Sequence, residues 1–291
     1  MGGGKEADSV KLKGIIKSMV PPLALQIYRR LRDGAPSEPE WEVVPGGWLA
    51  NKELGWDHPS ISEVQRGKWF KFCELIQKPR PLAVSHESPE PHGDDVLSHN
   101  ALMSYGYVLA LAAGGGKQVS MLDWGCGAGH YFPLSQQLLP GVTLDYTGYD
   151  RGHLISLARE LNQGAAFFEQ PDLCFQRRYD LVLSSSSLQY VVEWRVGIRQ
   201  LAAATGRYLF ITRLPVVLDT TPFVVVQRVK PYGYDTEYCG WVFNRMEVIN
   251  EVLQYGLTFE REFLMMDRPQ VKGACEQVQY RGYLFRKSDA T

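Results

Sequence analysis

The chain has 291 residues, 45% of them apolar, and its 31 Lys and Arg stand against 32 Asp and Glu for a formal net charge of −1. Near-neutrality excludes a global attraction to polyanions, so nucleic acid is not an expected partner. The length suits one large α/β domain with additions, or two small domains.

Five cysteines (Cys73, Cys126, Cys174, Cys239 and Cys275) are scattered and never spaced C-x-x-C. That spacing excludes a zinc ribbon and a disulfide framework. No apolar run reaches the ~20 residues of a membrane span, and no signal-peptide pattern opens the chain. A soluble, cytoplasmic protein is expected.

Residues 1–9 are glycine-rich and polar. From Val10 to Arg32 six Lys and Arg occur without an acid, among Leu, Ile, Val and Met, with Pro21 and Pro22 in the middle. Two readings of this arm stay open: a basic amphipathic surface for an anionic membrane or a partner protein, or helices packed on their own domain. Residues 33–60, rich in Pro, Gly and Trp, read as a long loop whose Trp41, Trp48 and Trp56 cover something apolar. Helical spacing returns over Ile61–Gln77 behind a possible cap at Ser60, and over Asn100–Ala113 behind "SHN". Between these helices "SHESPEPHGDDVLSHN" gathers His86, His92, Asp94, Asp95 and His99, but the spacing fits no zinc motif and no metal site is expected.

Beyond Gly114–Gly116 strands and helices alternate. "QVSMLDWG", "VTLDYTGYD", "AAFFEQ", "YDLVLSSSS" and "RYLFITRL" read as five strands separated by helical segments, with a helix over "NRMEVINEVLQYG" after the last of them. Two extended runs, "TFEREFLMM" and "EQVQYRGYLFRK", close the chain. Such alternation builds parallel βαβ units, and the closing pair makes an antiparallel hairpin at one edge. The expected fold is α/β: a doubly wound, seven-stranded, mostly parallel sheet with an N-terminal helical and loop extension. Its expected parts are a basic arm (1–35), an accessory lid (36–97) and the sheet domain (98–291).

The first strand runs into "MLDWGCGAGH", which spaces Asp123, Gly125, Gly127 and Gly129 at alternate positions. A dinucleotide fingerprint starting at Gly125 demands glycine at position 130, and His130 stands there. A carboxylate at the strand end repels phosphate. A phosphate-free nucleoside with a cationic centre tolerates it, and S-adenosylmethionine is such a ligand.

On these residues the chain resembles class I S-adenosylmethionine-dependent methyltransferases over roughly residues 98–291, which implies a Rossmann-like sheet and that cofactor. The resemblance implies that Asp123 holds the loop and the methionine amine, that the backbone of Gly125 and Gly127 approaches the cofactor, and that Asp150 of "YTGYD" takes the ribose hydroxyls. For the adenine it implies Asp172 and Leu173 of "EQPDL", with Glu169 as the competing choice. Ser184 to Ser187, at the end of the fourth strand, offer hydroxyl donors or satisfy their own backbone, and the resemblance implies that Gln189 and Tyr190 project near the transferred methyl.

The segments "LSHNALMSYGYVLALAA", "SLQYV", "TRLPV" with "FVVVQRV", and "YDTEYCGWVF" resemble more narrowly a subgroup of bacterial methyltransferases encountered with surface-polysaccharide and secondary-metabolite genes. Cys239 departs from the proline common in the last segment. This resemblance implies a methyltransferase and supplies no substrate; the expected acceptor is a small metabolite or sugar, with transfer to oxygen slightly favoured over nitrogen on the strength of the His99 candidate and of that genomic company. Acceptor-side candidates are His99 as a general base, Arg213 as an anchor for a carboxylate, phosphate or hydroxyl, and Tyr190. Tyr232, Tyr234, Tyr238 and Trp241 join Tyr190 as possible pocket walls. A rival function is a catalytically silent cofactor-binding module docked through the basic arm.

Overall fold

A run of buried side chains, Val119, Met121, Leu122 and Asp123, marks a strand covered on both faces, the signature of a central parallel strand. The computed structural model describes residues 38–48, 55–77, 79–84, 95–265 and 268–288. The basic arm, His86, His92 and Asp94 lie outside them. The elements in chain order are β1 (Trp41–Val43), α1 (Pro59–Gln77), α2 (Val96–Ala113), β2 (Gln118–Trp124), α3 (Tyr131–Leu138), β3 (Thr143–Tyr149), α4 (Gly152–Leu161), β4 (Ala166–Phe168), α5 (Pro171–Cys174), β5 (Tyr179–Ser185), α6 (Trp194–Ala204), β6 (Thr205–Val217), β7 (Phe223–Arg228), β8 (Glu237–Asn244), α7 (Arg245–Leu253), β9 (Leu257–Leu264), β10 (Val271–Lys272) and β11 (Gln279–Lys287).

Seven strands form the Rossmann-like sheet in the order β4-β3-β2-β5-β6-β11-β9. The first five are mutually parallel, and β11 runs antiparallel to both β6 and β9. This is the expected doubly wound sheet with its edge hairpin. On one face α2, α3 and α4 bury Tyr105, Leu109, Leu134 and Ile155 against Met121 and Leu183. On the other, α6 and α7 bury Ile198, Leu201, Val248 and Val252 against Leu122, Val182 and Ile211. Each such side chain contributes on the order of 1.5–3 kcal/mol by leaving water.

The extension differs from its expected form. A second sheet, β10-β1-β7-β8, joins the C-terminal end of β6 through Val216 and Val217 opposite Phe243 and Asn244 of β8. The expected loop at 33–60 therefore contains a strand, whose Trp41 packs with Val217, Val225 and Val242. A three-residue strand is too short to show a period of two, and its partners lie far along the chain.

Two helix starts also move. Asp95 caps α2 by accepting from Leu97 N–H (3.1 Å) and Ser98 N–H (3.2 Å), so "SHN" lies inside the first turn rather than ahead of it. Proline opens α1 at Pro59, where its missing N–H costs nothing, and the His58 ring accepts from Ser60 N–H at 3.2 Å. Pro39–Thr291 form one compact unit. Among the described residues no helix is long and apolar enough to cross a membrane.

Candidate functional site

The carboxyl ends of β2, β3, β5 and β6 open into a cleft of about 600 Å³, within the ~300–1,000 Å³ of small-molecule sites. Its floor is the turn after β2. Gly125, Gly127 and Gly129 adopt φ of +78°, +57° and +80°, a region that side chains with a β-carbon rarely enter. Gly125 N–H (2.8 Å) and Cys126 N–H (3.0 Å) donate to Tyr149 O, tying the turn to the end of β3. Ser187 Oγ donates to Trp124 O at 2.8 Å, tying it to the end of β5. A β-carbon on Gly125 would stand 2.3 Å from Ser187 Cβ, so glycine there is what lets the two strand ends meet.

Two carboxylates flank this turn. Asp150, half-buried in the cleft wall, accepts from Gly127 N–H (2.8 Å) and Arg151 N–H (2.7 Å). Desolvation pushes its carboxyl up to about 6 in spite of both donors. Asp123 lies beneath the turn, 1% exposed, and accepts from Tyr146 O–H on Oδ2 at 2.5 Å. Its Oδ1 is buried with no partner. Burial pushes this carboxyl up to about 7, the Tyr146 hydrogen bond opposes the shift, and the charge of Asp150 adds to it.

No protein-family model matches the chain, and no curated protein does. Among solved structures, it is similar to magnesium protoporphyrin IX methyltransferase from Synechocystis PCC 6803 with bound S-adenosylmethionine, at 16% identity, 80% of this chain, 99% of that one and a TM-score of 0.45. A second is the 1,6-didemethyltoxoflavin-N1-methyltransferase of Burkholderia thailandensis, at 16% identity, 78% of this chain, 89% of that one and a TM-score of 0.44. A third is an amino pentose methyltransferase from Micromonospora echinaspora, at 12% identity, 64% of this chain, 90% of that one and a TM-score of 0.42. Likeness this distant leaves the chemistry to be read from the site itself.

Of the residues expected from sequence, Gly125, Gly127, Asp150, Tyr190 and Arg213 line the cleft. Ser184 and Gln189 are buried behind its wall: Ser184 Oγ pairs with Ser187 Oγ at 2.9 Å, and Gln189 Nε2 donates to Ser186 Oγ at 3.0 Å. Asp172 and Leu173 sit on α5, outside the lining, with Leu173 41% exposed. His99 is corrected in position. It belongs to the first turn of α2, outside the lining, with Nδ1 buried and unpartnered.

Tyr238 joins Tyr190 at the cleft, whereas Tyr232, Tyr234 and Trp241 are not among its lining. Trp56 stacks on Tyr238 at 4.3 Å and meets Tyr190 edge-on at 5.1 Å, which makes one aromatic wall. Among the described residues no group of three or more His, Cys, Asp or Glu is placed to hold a metal.

Arg213 reaches the cleft by an irregularity. Arg281 pairs with Leu214 and Tyr283 with Ile211, so Thr212 and Arg213 together oppose the single Gly282. This is a β-bulge, a device that re-aims a side chain beside a site. Arg213 has φ +54° and is 9% exposed. Ser186, the other described non-glycine residue at positive φ (+53°), donates its N–H to Thr212 O at 3.0 Å and also lines the cleft. Strain of this kind, about 1–3 kcal/mol per residue, persists where surrounding structure enforces it.

Sequence reasoning gave no role in the site to Gln65 or His130. His130 lies buried between Trp69 (5.0 Å) and Phe72 (4.9 Å) of α1 and lines the cleft. Its signal was present, since His130 is the residue that breaks the dinucleotide pattern. Gln65 is one polar residue in a mixed helix and carried no signal.

Proposed function

We propose that this chain transfers the methyl group of S-adenosylmethionine to a small-molecule acceptor. The observation that carries the reading is the orphaned Oδ1 of Asp123 beneath a turn of left-handed glycines, with Asp150 beside it. Two carboxylates held against their own charge make the turn hostile to a phosphate and complementary to a cation. The residues present therefore fit a cationic nucleoside and do not fit a pyrophosphate.

In this reading Asp150 accepts from both ribose hydroxyls. Asp123 neutralises the ammonium through the turn, and the backbone of Gly125 and Gly127 lies against the ligand. Asp172 and the exposed Leu173 serve the adenine end after β4. Ser184 and Gln189 brace the Ser185–Ser187 wall near the methyl. When bound, the cofactor supplies a methyl group activated by its sulfonium. The chain aligns the acceptor in line with it and excludes water, which supplies most of the rate.

Tyr190 and Arg213 face the acceptor half of the cleft. The acceptor atom is an oxygen or a nitrogen of a small metabolite or sugar. With His99 outside the cleft lining, the preference for oxygen loses one of its two grounds. Calorimetry with S-adenosylmethionine and S-adenosylhomocysteine tests the reading: one site per chain is expected. A folded protein that binds neither compound overturns it.

A further inference from the structure

Helix α1 precedes the seven-stranded sheet in the chain, yet it carries a buried amide to the glycine turn. Gln65 is 3% exposed and lines the cleft. Its Oε1 has no hydrogen-bond partner. A β-carbon built on Gly127 would stand 3.7 Å from Oε1 and 3.9 Å from Nε2, so the amide lies over the same glycine whose N–H is given to Asp150.

The helix that presents this amide is fixed on both sides. Ile61 and Phe72 are buried in core clusters. Arg66 pairs with Glu160 of α4, and Lys68 Nζ donates to Tyr232 O at 3.1 Å. Trp69 and Phe72 pack against His130. Gln65 is thus placed by its helix and does not reach the turn by chance of a mobile side chain. A buried carbonyl oxygen left without a donor destabilises the ligand-free fold relative to an apolar side chain of equal size. That position is explained if the missing donor arrives with a ligand.

We infer that Gln65 is a cofactor-binding residue, whose Oε1 accepts a hydrogen bond from a polar donor of the nucleoside cofactor and so completes the site from outside the sheet. The inference rests on the methyltransferase reading and assigns that site a residue from the accessory segment. Three donor groups share this chemistry, the ribose hydroxyls, the adenine amino group and the methionine ammonium. 5′-Methylthioadenosine has the first two and lacks the third, so it separates the nucleoside donors from the ammonium.

The test is calorimetry of the full chain and its Gln65→Leu and Gln65→Met variants with S-adenosylhomocysteine and with 5′-methylthioadenosine, beside thermal unfolding without ligand. Both variants are expected to unfold at or above the wild-type midpoint while binding S-adenosylhomocysteine about tenfold more weakly, the equivalent of one net hydrogen bond. An equal loss with 5′-methylthioadenosine assigns the donor to the nucleoside part, and no loss with it assigns the ammonium. If the wild type binds and a folded Gln65→Leu or Gln65→Met variant binds S-adenosylhomocysteine within twofold of it, the inference fails and the methyltransferase reading stands. If the wild type binds neither compound, both fail together.

Discussion

Tyr146, on β3, gives its phenolic proton to one oxygen of Asp123, on β2, at 2.5 Å, and nothing in the described structure serves the other oxygen. The carboxyl is raised above its ordinary range to about 7. A carboxyl with a raised folded pKa binds its proton more tightly in the native than in the unfolded state. Its contribution to stability is therefore complete below pH 4 and is lost as pH rises through 7. Asp150, raised to about 6, acts in the same direction. Asp123→Asn keeps an acceptor for Tyr146 and removes the charge. Thermal unfolding should show the variant more stable than wild type at pH 8, by about 2–4 °C for each kcal/mol relieved, with the gap closing toward pH 4. An equal gap at both pH values would show that Asp123 does not carry the effect.

In the proposed reading the same two carboxyls should make cofactor binding pH-dependent. A cationic ligand favours their ionised forms, so its affinity rises as they lose protons between about pH 5.5 and 7.5, and binding within that range, where they are still partly protonated, releases protons. Calorimetry with S-adenosylmethionine in two buffers of different ionisation enthalpy should detect the proton release at pH 6. Asp123→Asn should bind more weakly at pH 8 and show a shallower pH slope. A flat wild-type profile would remove these carboxylates from the recognition of charge.

The two glycines that begin the turn should fail in different ways. At Gly125 a β-carbon collides with Ser187 Cβ at 2.3 Å, and the backbone is left-handed, so Gly125→Ala forces the ends of β2 and β5 apart. At Gly127 the nearest atom is 3.7 Å away, which leaves only the backbone cost of about 1–2 kcal/mol. Gly125→Ala should lower the unfolding midpoint sharply or prevent folding. Gly127→Ala should remain folded and, if the proposed reading holds, lose affinity for S-adenosylhomocysteine, because its methyl group would stand on the cleft side that reading gives to the cofactor.

Legibility followed the range of the forces involved. The strands β2, β5 and β6 were visible because strands covered on both faces carry apolar runs such as Met121-Leu122, Leu181–Leu183 and Leu209–Ile211, and the turn after β2 was visible because left-handed backbone selects glycine. The second sheet was not, since β1 and β10 have three and two residues and are held by pairing across more than 180 positions of chain. His99 was misplaced because Asp95, four residues earlier, supplies the cap. The bulge at Arg213 was hidden because its cause is Gly282, on another strand. Gln65 acquires its meaning only when α1 is packed on the turn.

That bulge yields the last prediction. Arg213 holds φ +54°, where a β-carbon is disfavoured, and Gly282 opposite it is crowded: a β-carbon there would stand 2.8 Å from Met265 Cε, the end of a flexible side chain, and 3.1 Å from Thr212 Oγ1. Replacing Arg213 removes its guanidinium from the cleft in either variant, but glycine tolerates the left-handed backbone and alanine does not. Arg213→Gly should therefore be more stable than Arg213→Ala by about 1 kcal/mol, the reverse of the usual order of these residues in a strand. In the proposed reading Arg213 faces the acceptor side, so both variants should bind S-adenosylhomocysteine within about twofold of wild type. Both should transfer methyl groups at least ~100-fold more slowly at a fixed acceptor concentration, a loss on the scale of a charged group at an acceptor. Chemical denaturation decides the first point. A large loss of S-adenosylhomocysteine affinity in both variants would instead place Arg213 on the cofactor side of the cleft.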